Sequence, residues 1–113
     1  MKILVIEPLK TPYTKEIDGN LESMQQIVGG TIQAIYPFNN PEIALICNDE
    51  GKLINLPLNR ALDDKDGKLF DIVAGTFFPC SAPADSENFE SLTNEQIKTY
   101  RERFKNIEVY VRG

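Results

Sequence analysis

With 113 residues, 42% of them hydrophobic and 26% charged, the chain has the size and balance of one folded domain, able to bury about two-thirds of the surface its unfolded form exposes. Twelve basic residues stand against seventeen acidic ones, a net charge of −5, which argues against direct nucleic-acid binding because a general binder needs a basic footprint. There is no histidine, so a histidine-dependent triad or general base is excluded, and Cys47 and Cys80 lack the CxxC spacing of a zinc site.

The opening "MKILVIEP" holds a continuous apolar run that Glu7 and Pro8 interrupt. It is too short for a signal peptide or a membrane span and reads as a first, central strand, from which a cytoplasmic protein is expected, in whatever cell makes it. "YTKEID" alternates as a half-exposed strand pairing back on it. In "DGNLESMQQIVGG", Leu21, Met24, Ile27 and Val28 fall on one face of a helix. Asp18, Gly19 or Asn20 can cap its start and Gly29-Gly30 its end.

"TIQAIYPF" alternates again until Pro37 stops it, and "EIALIC" is a further short strand. "NDEGK" predicts a hairpin loop with Gly51 in the left-handed position, so "KLINL" should return alongside. In "LPLNRAL", Pro57 marks an edge, a turn or a short helical start. "DDKDG" is a solvated turn, because it lacks the further ligands of a calcium loop. "KLFDIVAGTFFPC" reads as the longest strand, with Gly75 marking a bulge or a close backbone approach. From Pro79 to Ser91 the chain is polar, acidic and loop-like. "SLTNEQIKTYRERF" predicts a second helix with Thr93 and Gln96 in capping-box spacing and Ile97, Tyr100 and Phe104 buried. "NIEVYV" should close with a strand that buries Ile107, Val109 and Val111. The predicted order, β-β-α-β-β-β-β-α-β, gives one α+β domain over residues 1–113, a mostly antiparallel sheet with two helices.

No sequence motif announces catalysis. Glu7 and Asp71 lie in apolar strands, where a carboxylate needs a partner, and Arg60 could pair with either. An enzyme working through those acids is the least favoured reading. "VGGT" has neither the lysine nor the length of a phosphate-binding loop, and no Gly-x-Ser-x-Gly occurs. No metal or cofactor is expected. The candidate ligand-binding residues are Tyr36, Asn48, Asn59, Arg60, Gly75, Thr76 and Phe77, which offer stacking rings, amides and one guanidinium beside apolar strands. Packing explains the aromatics equally well, and turns explain the asparagines. For Arg60, set in a Pro-containing turn, a specific partner is expected, either internal or a ligand.

Taken together, "LESMQQIVGGTIQAIYPF", "ALICNDEGK", "LPLNRAL" and "DIVAGTFF" resemble an uncharacterised family of small proteins from phages, plasmids and integrated elements of Gram-positive bacteria. The resemblance spans roughly residues 2 to 104, leaving "NIEVYVRG" and the loop "CSAPADSENFE" outside the recognisable stretches. It implies a setting near antirestriction proteins, and hence counter-defence, and it brings no catalytic residues. Within that setting the expectation is a protein that sequesters a nucleotide-like immune signal without turning it over, in a pocket that a second subunit of a homo-oligomer could complete. The alternative partner is a host defence nuclease or effector, inhibited directly, with the chain acting as a partial DNA mimic.

Overall fold

The structure, a computed structural model, describes residues 1–64 and 66–111. Its elements follow the order β1 (Lys2–Val5), β2 (Tyr13–Glu16), α1 (Leu21–Val28), β3 (Ile32–Ile35), β4 (Ile43–Asn48), β5 (Leu58–Asp63), β6 (Leu69–Ala74), β7 (Phe78–Ser81) and α2 (Asn94–Phe104). The fold is α+β, and every strand pair is antiparallel. β1 pairs with β2, β4 lies between β3 and β7, and β5 with β6 forms a separate hairpin. An Ile6–Phe77 bridge, with N–H···O distances of 2.9 and 3.1 Å, joins the end of β1 to the start of β7.

Period-two alternation divides the core into two layers. Leu4, Ile6, Ile43, Leu45 and Phe77 pack with α2 residues Ile97, Tyr100 and Phe104 and with hairpin residues Leu62 and Val73. Ile3, Val5, Ala44, Ile46, Phe78 and Cys80 pack on the other side with Met24 and Val28 of α1. β4 is buried along its whole length, which is why its sequence reads as an unbroken apolar run. Both helices are capped as their sequences predict. Asn20 accepts from Ser23 N–H and Gly29 ends α1 at φ 77°. Thr93 and Gln96 form the reciprocal capping box of α2.

Several local expectations fail, among them the loop from Pro79 to Ser91, whose first three residues belong to β7. "KLINL" does not return as a strand: residues 51–55 form turns, with Leu53 and Ile54 exposed. Gly51 is not left-handed. That conformation falls to Asn55 (φ 62°), while Gly51 is needed for closeness, because a Cβ there would stand 2.7 Å from the Ala74 carbonyl oxygen. "LPLNRAL" supplies β5, the partner of β6. The long apolar run then breaks at Gly75, whose φ of +85° turns the chain out of the hairpin and into the sheet beside β4. Finally, "NIEVYV" forms no strand. Val109 and Val111 are 75% and 92% exposed, and the tail reaches β5 through a side chain: Ala61 N–H donates to Glu108 Oε1 at 2.9 Å. The "DDKDG" turn behaves as expected across its described residues, with Asp64 Oδ1 accepting from Asp66 and Lys68 N–H groups at 2.9 and 3.0 Å; its Lys65 lies outside the described residues.

Candidate functional site

Asn59 and Arg60 leave Pro57 in strand conformation, and the turn at Gly75 brings the "AGTFF" stretch against them. Asn59 is fully buried; its Nδ2 donates to the carbonyls of Ile6 and Gly75, both at 2.9 Å. Its Oδ1 accepts from Arg60 Nη1 at 2.8 Å. Arg60 is also fully buried and is the largest such side chain. Its Nε donates to the Phe104 carbonyl at 3.1 Å and its Nη2 to the Lys10 carbonyl at 2.8 Å.

Phe104 is the last residue of α2, so its carbonyl is one of those a helix cannot satisfy internally, at the negative end of the helix dipole. Burial lowers the Arg60 pKa, and the Glu108 carboxylate partly offsets that. The partner of Arg60 is therefore main-chain oxygen and an amide. Among the described residues no carboxylate lies within ion-pair distance of it.

Glu7 and Asp71 find other partners. Glu7 lies 3.9 Å from Lys10 Nζ and hydrogen-bonds Tyr13, while Asp71 is held by Lys52 and accepts from Ile72 N–H at 2.8 Å. The remaining sequence candidates divide. Asn48 is buried, with its Nδ2 on the Val28 carbonyl at 3.2 Å and its Oδ1 on Glu50 N–H at 2.8 Å. Phe77 is buried and packs edge-on to Phe104 at 5.2 Å. Thr76, which lies between Gly75 and Phe77 in the chain, is half-buried. Tyr36 stands apart from this group, with its ring 56% exposed. The structure thus gathers Asn59, Arg60, Gly75 and Phe77 into one interior knot and leaves Asn48 and Tyr36 elsewhere.

Two of the surface hollows combine open space with distinctive side chains. The first is a groove of about 580 Å³ between the loop after β3 and α2, lined by Phe38, Asn39, Asn40, Gln96, Thr99 and Arg103, among others. Gln96, Thr99 and Arg103 recur at helical spacing along one stripe of α2. The Arg103 guanidinium lies over the Phe38 ring at 5.0 Å and the Phe104 ring at 5.7 Å, and Phe38 packs in turn on Tyr100 at 4.8 Å. No described carboxylate pairs with Arg103. Asn40 also borders a neighbouring hollow of about 710 Å³, which Tyr36 lines.

The second feature is a cleft of about 210 Å³ between β3, the 48–53 turn and β6. Its rim carries Asp49, Glu50 and the Lys52–Asp71 pair, and Cys47 lies in its wall. Desolvation pushes the Cys47 thiol up to about 11, and the Asp71 and Asp49 carboxylates reinforce that, so it is no thiolate nucleophile at neutral pH. Among the described residues no group of three or more Cys, Asp or Glu could hold a metal ion.

Phe38, Asn39, Asn40 and Arg103 escaped the sequence reading. The signal was present in "YPFNN", where two aromatics and two amides surround a proline, and in the basic "YRERF" of the second helix. What joins them is packing between segments about sixty residues apart, which no local pattern encodes.

Among the described residues no helix is long and apolar enough to cross a membrane. Neither a curated protein nor a solved structure matches the chain significantly. A protein-family model does match, over residues 1–105. Its span includes the "CSAPADSENFE" loop that the sequence resemblance had set aside, and leaves out residues 106–113. The chain belongs to that family, described as a domain of unknown function (DUF3846).

Proposed function

We propose that this is a phage- or mobile-element-borne counter-defence protein that binds a nucleotide-like small molecule and withholds it without converting it. The observation that carries this reading is Arg103, stacked on Phe38 and free of any described carboxylate at the edge of a groove of ligand-binding size. A guanidinium positioned over an aromatic ring keeps its fork donors available to a phosphate. The carboxamides of Asn39 and Asn40 supply donors and acceptors for base edges, and Tyr36 adds an exposed ring across Asn40. α2 is also the basic element of an acidic protein, carrying Lys98, Arg101 and Arg103 against Glu95 and Glu102, so an anion is drawn to this side. The setting near antirestriction genes comes from the family resemblance. A second reading, inhibition of a host defence nuclease or effector by direct contact, draws on the acidic rim of the cleft.

The test is a thermal-shift screen against linear and cyclic nucleotides, followed by heat release and mass spectrometry. A ligand at a hundred times its Kd stabilises the fold by about 2.7 kcal/mol, or roughly 10 °C for a chain of this length. Arg103→Gln should abolish the shift while leaving the unliganded Tm within about 2 °C, as for an exposed substitution. Recovery of a degraded nucleotide would overturn the non-catalytic part. Absence of any shift, or a shift retained by Arg103→Gln, would overturn the ligand class or the site.

A further inference from the structure

Among the described residues β6 has a single strand partner, β5. Five consecutive β6 residues, Phe70 to Ala74, line the acidic cleft. Side chains alternate along a strand, so an unbroken run cannot come from one face; it means that the edge of β6 borders the cleft. The opposite wall includes Gln33 and Ile35 of β3, an outer strand of its own sheet.

Ala61 and Ile72 stand directly opposite each other in the hairpin, and both of their N–H groups are taken by side-chain carboxylates, not by the partner strand. Ala61 N–H donates to Glu108 Oε1 at 2.9 Å, and Ile72 N–H to Asp71 Oδ1 at 2.8 Å. The two edges are closed differently. On β5 the tail residue Glu108 lies across the edge and is itself hydrogen-bonded by Tyr110. On β6 the 48–53 turn closes on the Ala74 carbonyl at one end, and the Ile72 N–H is covered by Asp71, steadied by Lys52 in a pair whose side chains are 43% and 57% exposed. An exposed ion pair of this kind is worth about 0–1 kcal/mol and yields readily. Around it, Leu53 is 86% and Phe70 60% exposed, and together they give the cleft an apolar lip.

We infer that the cleft receives an extended peptide segment of a partner protein, which adds as a strand to the edge of β6, seats one apolar side chain in the hollow and carries Lys or Arg beside it. The hollow of about 210 Å³ is smaller than the roughly 300–1,000 Å³ of a small-molecule site and suits one anchoring side chain. Three carboxylates against one lysine on the rim select a basic neighbour. An incoming cation takes Asp71 from Lys52, and the Ile72 N–H is then released to a main-chain carbonyl of the peptide. This is strand addition, in which backbone bonds supply affinity and the pocket supplies specificity. A second copy of the chain fits poorly, because pairing β6 with β6 sets Asp71 and its acidic rim against their own like charges. The site shares no lining residue with the Arg103 groove, so the two can fail independently.

The experiment titrates the full chain into a fluorescein-labelled peptide alternating lysine and valine around a central phenylalanine, with amide shifts recorded in parallel. Saturable binding is expected, with the largest shifts at Phe70, Ile72 and Lys52. Phe70→Ser should weaken it about tenfold and Leu53→Ser several-fold. Asp71→Asn keeps an acceptor for the Ile72 N–H but lowers the preference for lysine over glutamate peptides, again about tenfold. Equal binding of the glutamate peptide would overturn the charge argument, and equal binding with proline next to the phenylalanine would overturn strand addition. No binding at millimolar peptide, shifts confined to α2, or a dimer closed through β6 would each overturn the assignment.

Discussion

Replacing Arg60 with alanine separates an interior tie from a ligand clamp. The substitution strips the donor from three oxygens: the Phe104 carbonyl, Asn59 Oδ1 and the Lys10 carbonyl. A buried acceptor left without a partner costs about 1–3 kcal/mol, and the first two are buried while Lys10 lies near water. Removing the desolvated cation returns part of that loss, whereas the void left by the largest buried side chain adds to it. The net expectation is about 3–4 kcal/mol, a large share of the roughly 5–15 kcal/mol that holds such a domain. In a thermal melt this lowers Tm by roughly 12–16 °C. Arg60→Lys keeps the charge without the planar fork and should lose about half as much.

Urea denaturation gives the numbers directly, with an unchanged slope showing that the folded state keeps its compactness. A loss below about 1 kcal/mol for Arg60→Ala would refute the reasoning. So would a folded Arg60→Ala protein that has lost nucleotide retention at full stability, since that places the guanidinium on the ligand.

Three further outcomes follow from the same geometry. Gly75→Ala must hold a φ of +85° and bring a Cβ within 2.7 Å of Leu56 Cδ1. Strain of about 1–2 kcal/mol plus repacking of Leu56 should total roughly 2–3 kcal/mol in urea denaturation, and a neutral result would mean the hairpin and sheet can turn elsewhere. Thr93→Ala removes the hydroxyl that accepts from Gln96 N–H at 3.1 Å and should cost about 1 kcal/mol, with Thr93→Ser restoring most of it. Burial pushes the Cys80 thiol from 9.0 up to about 12, so in alkali the unfolded chain loses this proton before the folded one does. This contribution is intact below pH 9 and drains away towards pH 12, at about 1.4 kcal/mol per pH unit. Cys80→Ala should flatten that part of the pH–stability curve relative to wild type, and parallel curves would contradict the assignment.

Much of the fold was legible because local rules and tertiary demands agreed. Asn20, Gly29, Thr93 and Gln96 cap helices by contacts within a few residues of themselves, which is the range over which sequence patterns speak. The errors share a cause. "KLINL" and "NIEVYV" have the composition of strands, but a strand also needs a neighbour with open N–H and C=O groups. The neighbour of β6 turned out to be "LPLNRAL", sixteen residues upstream of Gly75 at Asn59. The sequence named Asn59, Arg60 and Gly75 among seven ligand candidates, and the structure brings these three together in the interior, where a buried polar group is retained only if its partners are well placed. The sequence could not say whether those partners were a ligand or the protein itself.

The amino-acid order alone determined the α+β class, the two helices with their caps, the two-sided burial of β1, and the absence of histidine chemistry. These depend on periodicity, turn chemistry and composition, which are local properties. Tertiary structure decided that Arg60 faces the end of α2 and a main-chain carbonyl, that Arg103 lies on Phe38, and that Lys52 pairs with Asp71 on β6. Each is a contact between segments distant in the chain, fixed by how layers pack around a shared core. The direction in which a charged side chain points, inward or outward, is set there and nowhere in its own neighbourhood.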